Sequence, residues 1–261
     1  MIETLIVITI LILGGLAGYK ERSLSISGAI AAVFVGIAVF LGVGVKGLIL
    51  LGLFFTTSSL WSKYKSSAKA EMEEKLAKGS TRDWRQVLAN GGSAALISII
   101  YYYNQDIIWL IGFIVCLASS NSDTWASEVG SLSKTKPVYI RTFKRIDKGT
   151  SGAVSWLGTF AGLLGSLLIA LVGAWIFQLE VDHFFIIFLF GFLGNIFDTV
   201  IGAYYQQVYI CSICGIETEK KVHCQTAAKR IKGYHLVDND MVNFLSGFSA
   251  AILAMMVLYY F

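Results

Sequence analysis

The chain has 261 residues, of which 56% are hydrophobic and only 15% are charged, and its mean hydropathy is +0.67. A soluble domain of this size does not carry so apolar a composition, so the chain is typical of an integral membrane protein. The net charge is +4, and every Lys and Arg except Lys46 lies in a few polar segments. We therefore expect membrane lipids as partners and no nucleic acid.

Hydrophobic segments long enough to cross a bilayer as helices recur along the whole chain. The first segment lacks the basic start and the cleavage site of a secretory signal, so we interpret it as a retained span. The predicted fold is a single all-α membrane domain over residues 1–261, a polytopic bundle of eight transmembrane helices with cytoplasmic catalytic loops. The predicted spans are residues 2–18, 26–45, 47–60, 87–103, 107–119, 154–177, 184–203 and 241–260.

The charge of the connecting loops predicts how the bundle is oriented. Threading the spans alternately through the membrane places the three long polar loops, residues 62–86, 119–152 and 204–240, on one side together with most of the Lys and Arg residues. By the positive-inside rule this side is cytoplasmic, and both termini lie outside. We expect a multi-pass protein of the cell membrane.

The first polar loop contains mixed charges at helical spacing over residues 63–78. This pattern predicts a short cytoplasmic helix, either a solvated connector or an element lying on the lipid surface. Just beyond the loop, Asn90 precedes Gly91 and Gly92, which allow close backbone approach. That group suits either helix packing or contact with a ligand.

The central loop combines acids, cations and a glycine-containing turn. Asp123 and Glu128 offer carboxylates, which bind hard divalent cations, and the loop ends in Gly-Thr-Ser-Gly, whose backbone amides suit an anion. It also holds Pro137, the only proline, and six cations: Lys134, Lys136, Arg141, Lys144, Arg145 and Lys148. This mixture predicts a membrane enzyme that acts on a phosphorylated lipid.

Spacing within the central loop predicts how its charges are arranged. Asp123 and Glu128 are five residues apart, so on a regular helix they diverge by about 140° and do not chelate one ion. A helix beginning near Asp123 would let this acid face a metal from the cap position. Lys144 and Lys148 are four apart with Arg141 one turn earlier, so a helical or coiled segment would line a phosphate site with them. The alternative is a juxtamembrane basic patch that binds anionic headgroups.

Two later spans carry polar residues at their predicted cytoplasmic ends. Asn195, Asp198 and Thr199 share one face of an apolar helix, where an ionisable residue is costly and indicates a function. A cation path in a transporter is one interpretation. The other is an oxygen-rich Mg²⁺ site whose ligands are Asp123, Asp198 and Asp240, supplemented by Asn195, Asn239 or Asn243.

The last polar loop contains a group of potential metal ligands. Cys211 and Cys214 have the C-x-x-C spacing of a tetrahedral zinc site, and His223 and Cys224 complete four ligands. A cytoplasmic location disfavours a disulfide. We predict a closed structural Zn²⁺ site, with reduced thiols without metal as the alternative. Cys116, outside this loop, is predicted to be a core residue.

An ordered series of motifs resembles the membrane protein family that includes the plant phytyl-phosphate kinase. The motifs are DTWASEVG, Pro137, RTFKRIDKGTSGAVSWLGT, LGNIFDTVIGA, the cysteine loop and NDMVNFLS. A more distant similarity is to the motifs of CTP-using lipid enzymes: phosphatidate cytidylyltransferase, dolichol kinase and phytol kinase. The shared pattern is D-T-x-A, a later proline followed by lysine and G-x-x-G, and a second acid on a later helix. This similarity implies Mg²⁺ and a nucleoside triphosphate, often CTP.

The resemblance implies roles for the matching residues, with Ala153 departing from a pattern that often has glycine there. The catalytic candidates are Asp123, Glu128, Lys144, Lys148, Asp198 and Asp240. The matching candidates for nucleotide or phosphate binding are Thr124, Ser127, Gly149, Thr150, Gly152, Asn239 and Asn243, and Asn90 and Arg141 are added from their positions beside the paired glycines and one turn before Lys144.

The function that we expect is Mg²⁺-dependent transfer of a phosphoryl group from a nucleoside triphosphate, CTP first, to a prenyl-type lipid phosphate such as phytyl or polyprenyl phosphate. Such a transfer needs no strong general base, because positioning and charge neutralisation carry the rate. The alternatives are a CTP-dependent cytidylyltransferase that makes a CDP-lipid, a cation-coupled transporter and a non-catalytic scaffold. The oligomeric state is open, with a homodimer as one arrangement.

Overall fold

All eight predicted spans are helices in the computed structural model, which describes residues 2–69 and 75–260. Within this part of the chain, every long helix except α4 is long and apolar enough to cross a membrane. The prediction of a multi-pass helical membrane protein is confirmed. The helices are α1 (Ile2–Lys20), α2 (Ile26–Val43), α3 (Val45–Lys63), α4 (Trp84–Asn104), α5 (Ile107–Gly130), α6 (Trp156–Phe177), α7 (Val181–Tyr204) and α8 (Asn239–Tyr260).

Helix α5 forms the centre of the bundle. It packs against α3, α4, α6, α7 and α8, so its apolar half is covered on every side. Phe113, Ile114 and Leu117 are completely buried, as is Cys116, which confirms the prediction that this cysteine belongs to the core. A helix that is apolar on all faces is stable only where neighbours surround it.

Helices α5 and α6 approach each other closely because α6 presents glycines at the contact. A Cβ atom on Gly158 would lie 2.8 Å from Ala126 O, which only a glycine permits. Asn121 Nδ2 of α5 donates to Gly165 O over 2.8 Å, and Ser122 Oγ donates to Gly162 O over 2.8 Å. Small residues and interhelical hydrogen bonds are how membrane helices associate, and here they bring the polar end of α5 against α6.

The central helix is longer than the predicted span, which ended at residue 119. It continues to Gly130, so Asp123 lies inside α5, and the prediction of a helix beginning near Asp123 is wrong. The helix continues past residue 119 because its polar side chains form hydrogen bonds with neighbouring helices inside the bundle. Ser120 Oγ, for example, donates to Asn90 O over 2.8 Å.

The predicted helix over residues 63–78 is also wrong in the parts that the structure describes. Helix α3 ends at Lys63, a short 3-10 helix spans Ser66–Lys69, and residues 75–80 form neither helix nor strand; residues 70–74 lie outside the described residues. Residues 75–77 instead hydrogen-bond to the last polar loop. Thr218 Oγ1 donates to Lys75 O over 2.7 Å, so tertiary contacts set the conformation there.

Both later polar loops contain short antiparallel strands. In the central loop, β1 (Val138–Tyr139) pairs with β2 (Ala153–Val154), so the chain between them turns back and is not helical. The last loop has the three-stranded order β4-β3-β7 and a β5-β6 hairpin. Their bounds are β3 (Val208–Ile210), β4 (Glu217–Thr218), β5 (Val222–His223), β6 (Thr226–Ala227) and β7 (Lys229–Lys232).

The three polar loops meet at one end of the bundle, as the alternating connectivity predicts. Ser62 Oγ at the end of α3 donates to Glu128 Oε1 near the end of α5 over 2.6 Å. Lys78 of the first loop pairs with Asp240 at the start of α8. This polar end of the bundle holds the candidate site, and its assignment to the cytoplasm stays a prediction from the loop charges.

Candidate functional site

A cavity of about 190 Å³ lies among the polar ends of the helices and the central loop. Helix α5 contributes Asp123 from its interior, and α7 contributes Asp198 from the face that also carries Asn195 and Thr199. The structure thereby brings together eight of the candidate residues from four separate segments. They are Asp123, Ser127, Lys148, Gly149, Thr150, Gly152, Asp198 and Asn239.

Helix α8 holds the Asp198 carboxylate in place. Ser246 Oγ donates to Asp198 Oδ2 over 3.4 Å. The side-chain amide of Asn243, turned so that its nitrogen faces two acceptors, donates to Asp198 Oδ2 over 2.9 Å and to Asn239 O over 3.1 Å. Asn243 thus acts on the cavity through Asp198. Two carboxylates and the amides of Asn195 and Asn239 give the cavity the oxygen donors that Mg²⁺ prefers.

The glycine-containing turn docks against the end of α7. Gly149 and Gly152 have φ angles of +81° and +87°, a region that favours glycine. A Cβ atom on Gly152 would lie 2.4 Å from the Cβ atom of Ala203. Ser151 Oγ donates to Gln206 Oε1 over 2.6 Å. These contacts fix the position of the turn on the bundle, where its residues line the cavity.

The turn does not lead directly into a helix. Strand β2 separates it from α6, whose N-terminal cap is Ser155: its side chain accepts from Gly158 N over 3.1 Å. The helix already has its capping partner. Phosphate contacts from this segment would come from the turn itself and from Lys148, whose Nζ donates to Ser131 O over 2.9 Å at the cavity wall.

Several candidates lie away from the cavity. Lys144 is exposed on the turn after β1, and the exposed Arg141 guanidinium lies 5.3 Å from the centre of the Tyr204 ring. Thr124 Oγ1 donates to the backbone of its own helix. Asn90 Nδ2 donates to its own helix at Gln86 O over 3.0 Å. The chain between β1 and β2 brings only Lys148 of its three predicted phosphate-binding cations to the site.

A second cavity of about 180 Å³ adjoins the first and receives the remaining acids. Glu128 and Asp240 line it, and Leu76, Glu219 and Asn239 line both cavities. Asp123 and Glu128 therefore face different cavities, as their spacing on a helix predicts. Of the three predicted Mg²⁺ ligands, the structure joins two and places the third, Asp240, beside Lys78.

The four predicted zinc ligands come together in the last loop. One donor atom from each of Cys211, Cys214, His223 and Cys224 lies within 4.8 Å of all the others. His223 Nδ1 lies 3.5 Å from Cys214 Sγ and 3.3 Å from Cys224 Sγ. Backbone N–H groups of Cys214 and Ile213 donate to the Cys211 sulfur and lower the pKa of that thiol to about 6, which favours the thiolate.

Comparison with known proteins agrees with this architecture. The model of an integral membrane protein family, DUF92, matches residues 8–251. The chain belongs to this family. The family resemblance indicated by the motifs is thereby confirmed, and no solved structure matches the chain significantly.

Relatives of this DUF92 chain occur in plants and archaea. Protein PGR of Arabidopsis thaliana is 30% identical over 87% of this chain and 86% of its own length. An uncharacterized membrane protein of Methanocaldococcus jannaschii is 36% identical over 72% of this chain and 77% of its own. The chloroplastic protein VTE6 of Arabidopsis thaliana is 27% identical over 70% of this chain and 56% of its own.

Sequence reasoning about this DUF92 chain missed Glu219 and Lys78. Glu219 Oε1 accepts from Gln206 Nε2 over 2.6 Å and Oε2 accepts from Ala77 N over 3.3 Å, and burial raises the pKa of the Glu219 carboxyl. Glu219 lies in a loop without periodicity, and Lys78 is separated from Asp240 by most of the chain. No local sequence pattern therefore indicates that either residue lies at the site.

Proposed function

We propose that this protein is a Mg²⁺-dependent lipid phosphotransferase. It moves a phosphoryl group from a nucleoside triphosphate, CTP in preference, to a prenyl-type lipid phosphate such as phytyl or polyprenyl phosphate. The observation that supports it best is the meeting of Asp123, Asp198, Lys148 and the 149–152 turn in one cavity at the polar end of a membrane bundle. Membership in a family that the motifs relate to the plant phytyl-phosphate kinase supports the same class of substrate.

The donors around the cavity fit Mg²⁺. Asp123 and Asp198 would hold the ion, with the amide oxygens of Asn195 and Asn239 available as further ligands. These are hard oxygen ligands from separate helices, and Mg²⁺ fills its other positions with water or substrate phosphates. The ion would neutralise charge on the phosphoryl oxygens that it contacts.

The protein residues supply binding and orientation. The Lys148 ammonium neutralises phosphate oxygens at the cavity wall, and the 149–152 turn offers its backbone amides to the same group. The acceptor lipid phosphate is already anionic, so no residue has to remove a proton from it. The turn keeps its position because Gly152 lies flush against Ala203.

The position of the cavity suits a lipid acceptor. It lies where the apolar helices α5 to α7 meet the polar loops, so a phosphorylated headgroup reaches it while a prenyl chain stays against apolar helix surfaces. The basic loops around it are the ones that the positive-inside rule assigns to the cytoplasm, where nucleotides are available. We place the donor site on the cytoplasmic face for this reason.

The test uses the full-length protein purified in detergent with Mg²⁺, a panel of prenyl monophosphates, and CTP or ATP labelled at either the γ- or the α-phosphate. Transfer of γ-label into a lipid diphosphate, lost in Asp123→Asn and retained in Lys144→Ala, is the expected result. Transfer of α-label into lipid would instead establish a cytidylyltransferase. A folded protein that binds no nucleotide in any condition would overturn both activities and favour a transporter.

A further inference from the structure

The strongest feature outside the proposed phosphate cavity is the cysteine and histidine cluster of the last loop. Tetrahedral zinc with bonds of about 2.3 Å to sulfur and about 2.0 Å to nitrogen requires ligand atoms separated by about 3.5 to 3.8 Å. The distances from His223 Nδ1 to Cys214 Sγ and Cys224 Sγ, 3.5 and 3.3 Å, are close to that requirement. Two sulfurs within 3.5 Å of one imidazole nitrogen, with all four donors grouped together, suit a metal better than a disulfide, which joins only two of the four.

The backbone presents these donors from two tight turns. Gly215, with φ +73°, closes the first turn after Cys214, and its N–H donates to Cys211 O over 3.0 Å. In the second turn, Cys224 and Gln225 both have positive φ, at +49° and +60°. These are the two central residues of the two-residue loop between β5 and β6, and the turn that fits such a hairpin has positive φ at both positions. The hairpin thereby holds Cys224 beside His223 and the other two donors.

The loop has little apolar core of its own. Its strands have two to four residues, and large apolar side chains such as Ile213, Val222 and Ile231 are exposed. Small modules that bury little apolar surface are usually stabilised by a metal or by disulfides. Because the cluster joins the β3-β4 turn to the β5-β6 turn, a bound ion would cross-link both halves of the loop.

The chain between the two turns contacts the first polar loop. Thr218 Oγ1 and Glu219 N donate to Lys75 O over 2.7 and 2.8 Å, and Ala77 N donates to Glu219 Oε2 over 3.3 Å. Leu76, between them, lines both cavities. We infer that Cys211, Cys214, His223 and Cys224 bind one Zn²⁺, and that this ion holds the last loop in the position where Thr218 and Glu219 clamp residues 75–77 between the two cavities.

With four protein ligands the zinc site is closed, so its role is structural and not catalytic. The inference does not depend on the proposed phosphotransfer, since neither the ligands nor the clamp residues belong to the Mg²⁺ donors.

The metal is tested by elemental analysis of the full-length protein, purified in detergent and freed of any affinity tag. One zinc per chain is expected, with loss in Cys214→Ser and retention in Cys116→Ser, whose cysteine lies in the helical core. Replacement by Co²⁺ should give the absorption bands of tetrahedral thiolate coordination. Wild-type protein without zinc after growth with the metal, or equal loss in both variants, would overturn the site.

The clamp is tested by limited trypsin digestion at Lys75 and Lys78. Chelation of zinc from the wild-type protein should raise the cleavage rate about tenfold, and re-addition of Zn²⁺ should restore protection. Reversibility in the wild type distinguishes release of the clamp from a folding failure of the variant. Loss of zinc with no change in cleavage at these lysines would refute the clamp and leave the metal site standing.

Discussion

Lys78 Nζ in the first polar loop lies 2.5 Å from Asp240 Oδ2 at the start of α8. The same ammonium lies 2.8 Å from Asp83 Oδ2, the N-terminal cap of α4. Lys78 therefore ties the first loop to two helices, and Asp240 is used in this ion pair instead of joining Asp123 and Asp198. The sequence alone assigned Asp123, Asp198 and Asp240 to one metal site. In the structure the first two line a common cavity, whereas Asp240 links the first loop to α8.

Asp240→Asn is expected to destabilise the protein without changing its Mg²⁺ requirement. It leaves the partly buried Lys78 with one carboxylate in place of two, which costs about 1–3 kcal/mol. Thermal unfolding in detergent measures this loss. A variant with unchanged stability and a raised Mg²⁺ requirement would instead make Asp240 a metal ligand.

Asp123→Asn and Asp198→Asn are each expected to reduce phosphoryl transfer by about 10²–10³-fold while the protein stays folded. In the proposed site both acids would hold one ion, so the double variant should be hardly worse than either single variant. Initial rates at saturating Mg²⁺ measure this, with unfolding temperature as the control. Losses that multiply in the double variant would show that the two acids act independently.

Lys148→Ala is expected to weaken nucleotide binding about tenfold, because an ion pair with phosphate in a partly enclosed site contributes about 1.4 kcal/mol or more. Lys144→Ala, which removes the same charge from an exposed position four residues earlier, should leave binding nearly unchanged. Titration with labelled nucleotide compares the two. Equal weakening would indicate a diffuse basic surface and not a defined phosphate site.

Gly152→Ala is expected to displace the turn and abolish most activity. The added Cβ atom would lie 2.4 Å from that of Ala203, and a φ of +87° is strained for alanine. Gly52→Ala on α3 is the matched control, since a Cβ atom there meets nothing within 4 Å. Activity and unfolding temperature should fall only in the first variant. Full activity in Gly152→Ala would mean that the turn can occupy another position on the bundle without loss of function.

Glu219→Ala is expected to speed trypsin cleavage at Lys75 and Lys78 several-fold while zinc stays bound. The change removes the carboxylate that accepts from Ala77 N and Gln206 Nε2 and leaves the four proposed zinc ligands untouched. Glu217→Ala, two residues earlier and exposed, is the control and should be cut at the wild-type rate. Unchanged protection in Glu219→Ala would show that the clamp rests on the two bonds to Lys75 O, from Thr218 Oγ1 and the Glu219 backbone N–H.

Much of the bundle was predictable because its causes are local. A run of apolar residues must become a helix in lipid, since its backbone has no other partners there, and this rule located the eight long helices of the described residues. C-x-x-C spacing likewise indicated from four residues that Cys211 and Cys214 lie close together. The end of α5 was not predictable in this way. The polar run of residues 120–122 suggests the end of a span. The helix continues because neighbouring helices supply backbone acceptors for these side chains, at Asn90, Gly165 and Gly162 respectively.

The sequence by itself determined the class of the molecule, the long helices among the described residues and the polar end of the bundle at which the motifs gather. The tertiary structure decided which motifs share a cavity. Asp198 lines the same cavity as Asp123, because the polar face of α7 is turned towards α5. Asp240 does not line that cavity and instead forms an ion pair with Lys78. Which acids share a cavity depends on contacts between residues that are distant in the chain. Hydrophobicity, helical periodicity and motif spacing are local properties and carry no information about those contacts.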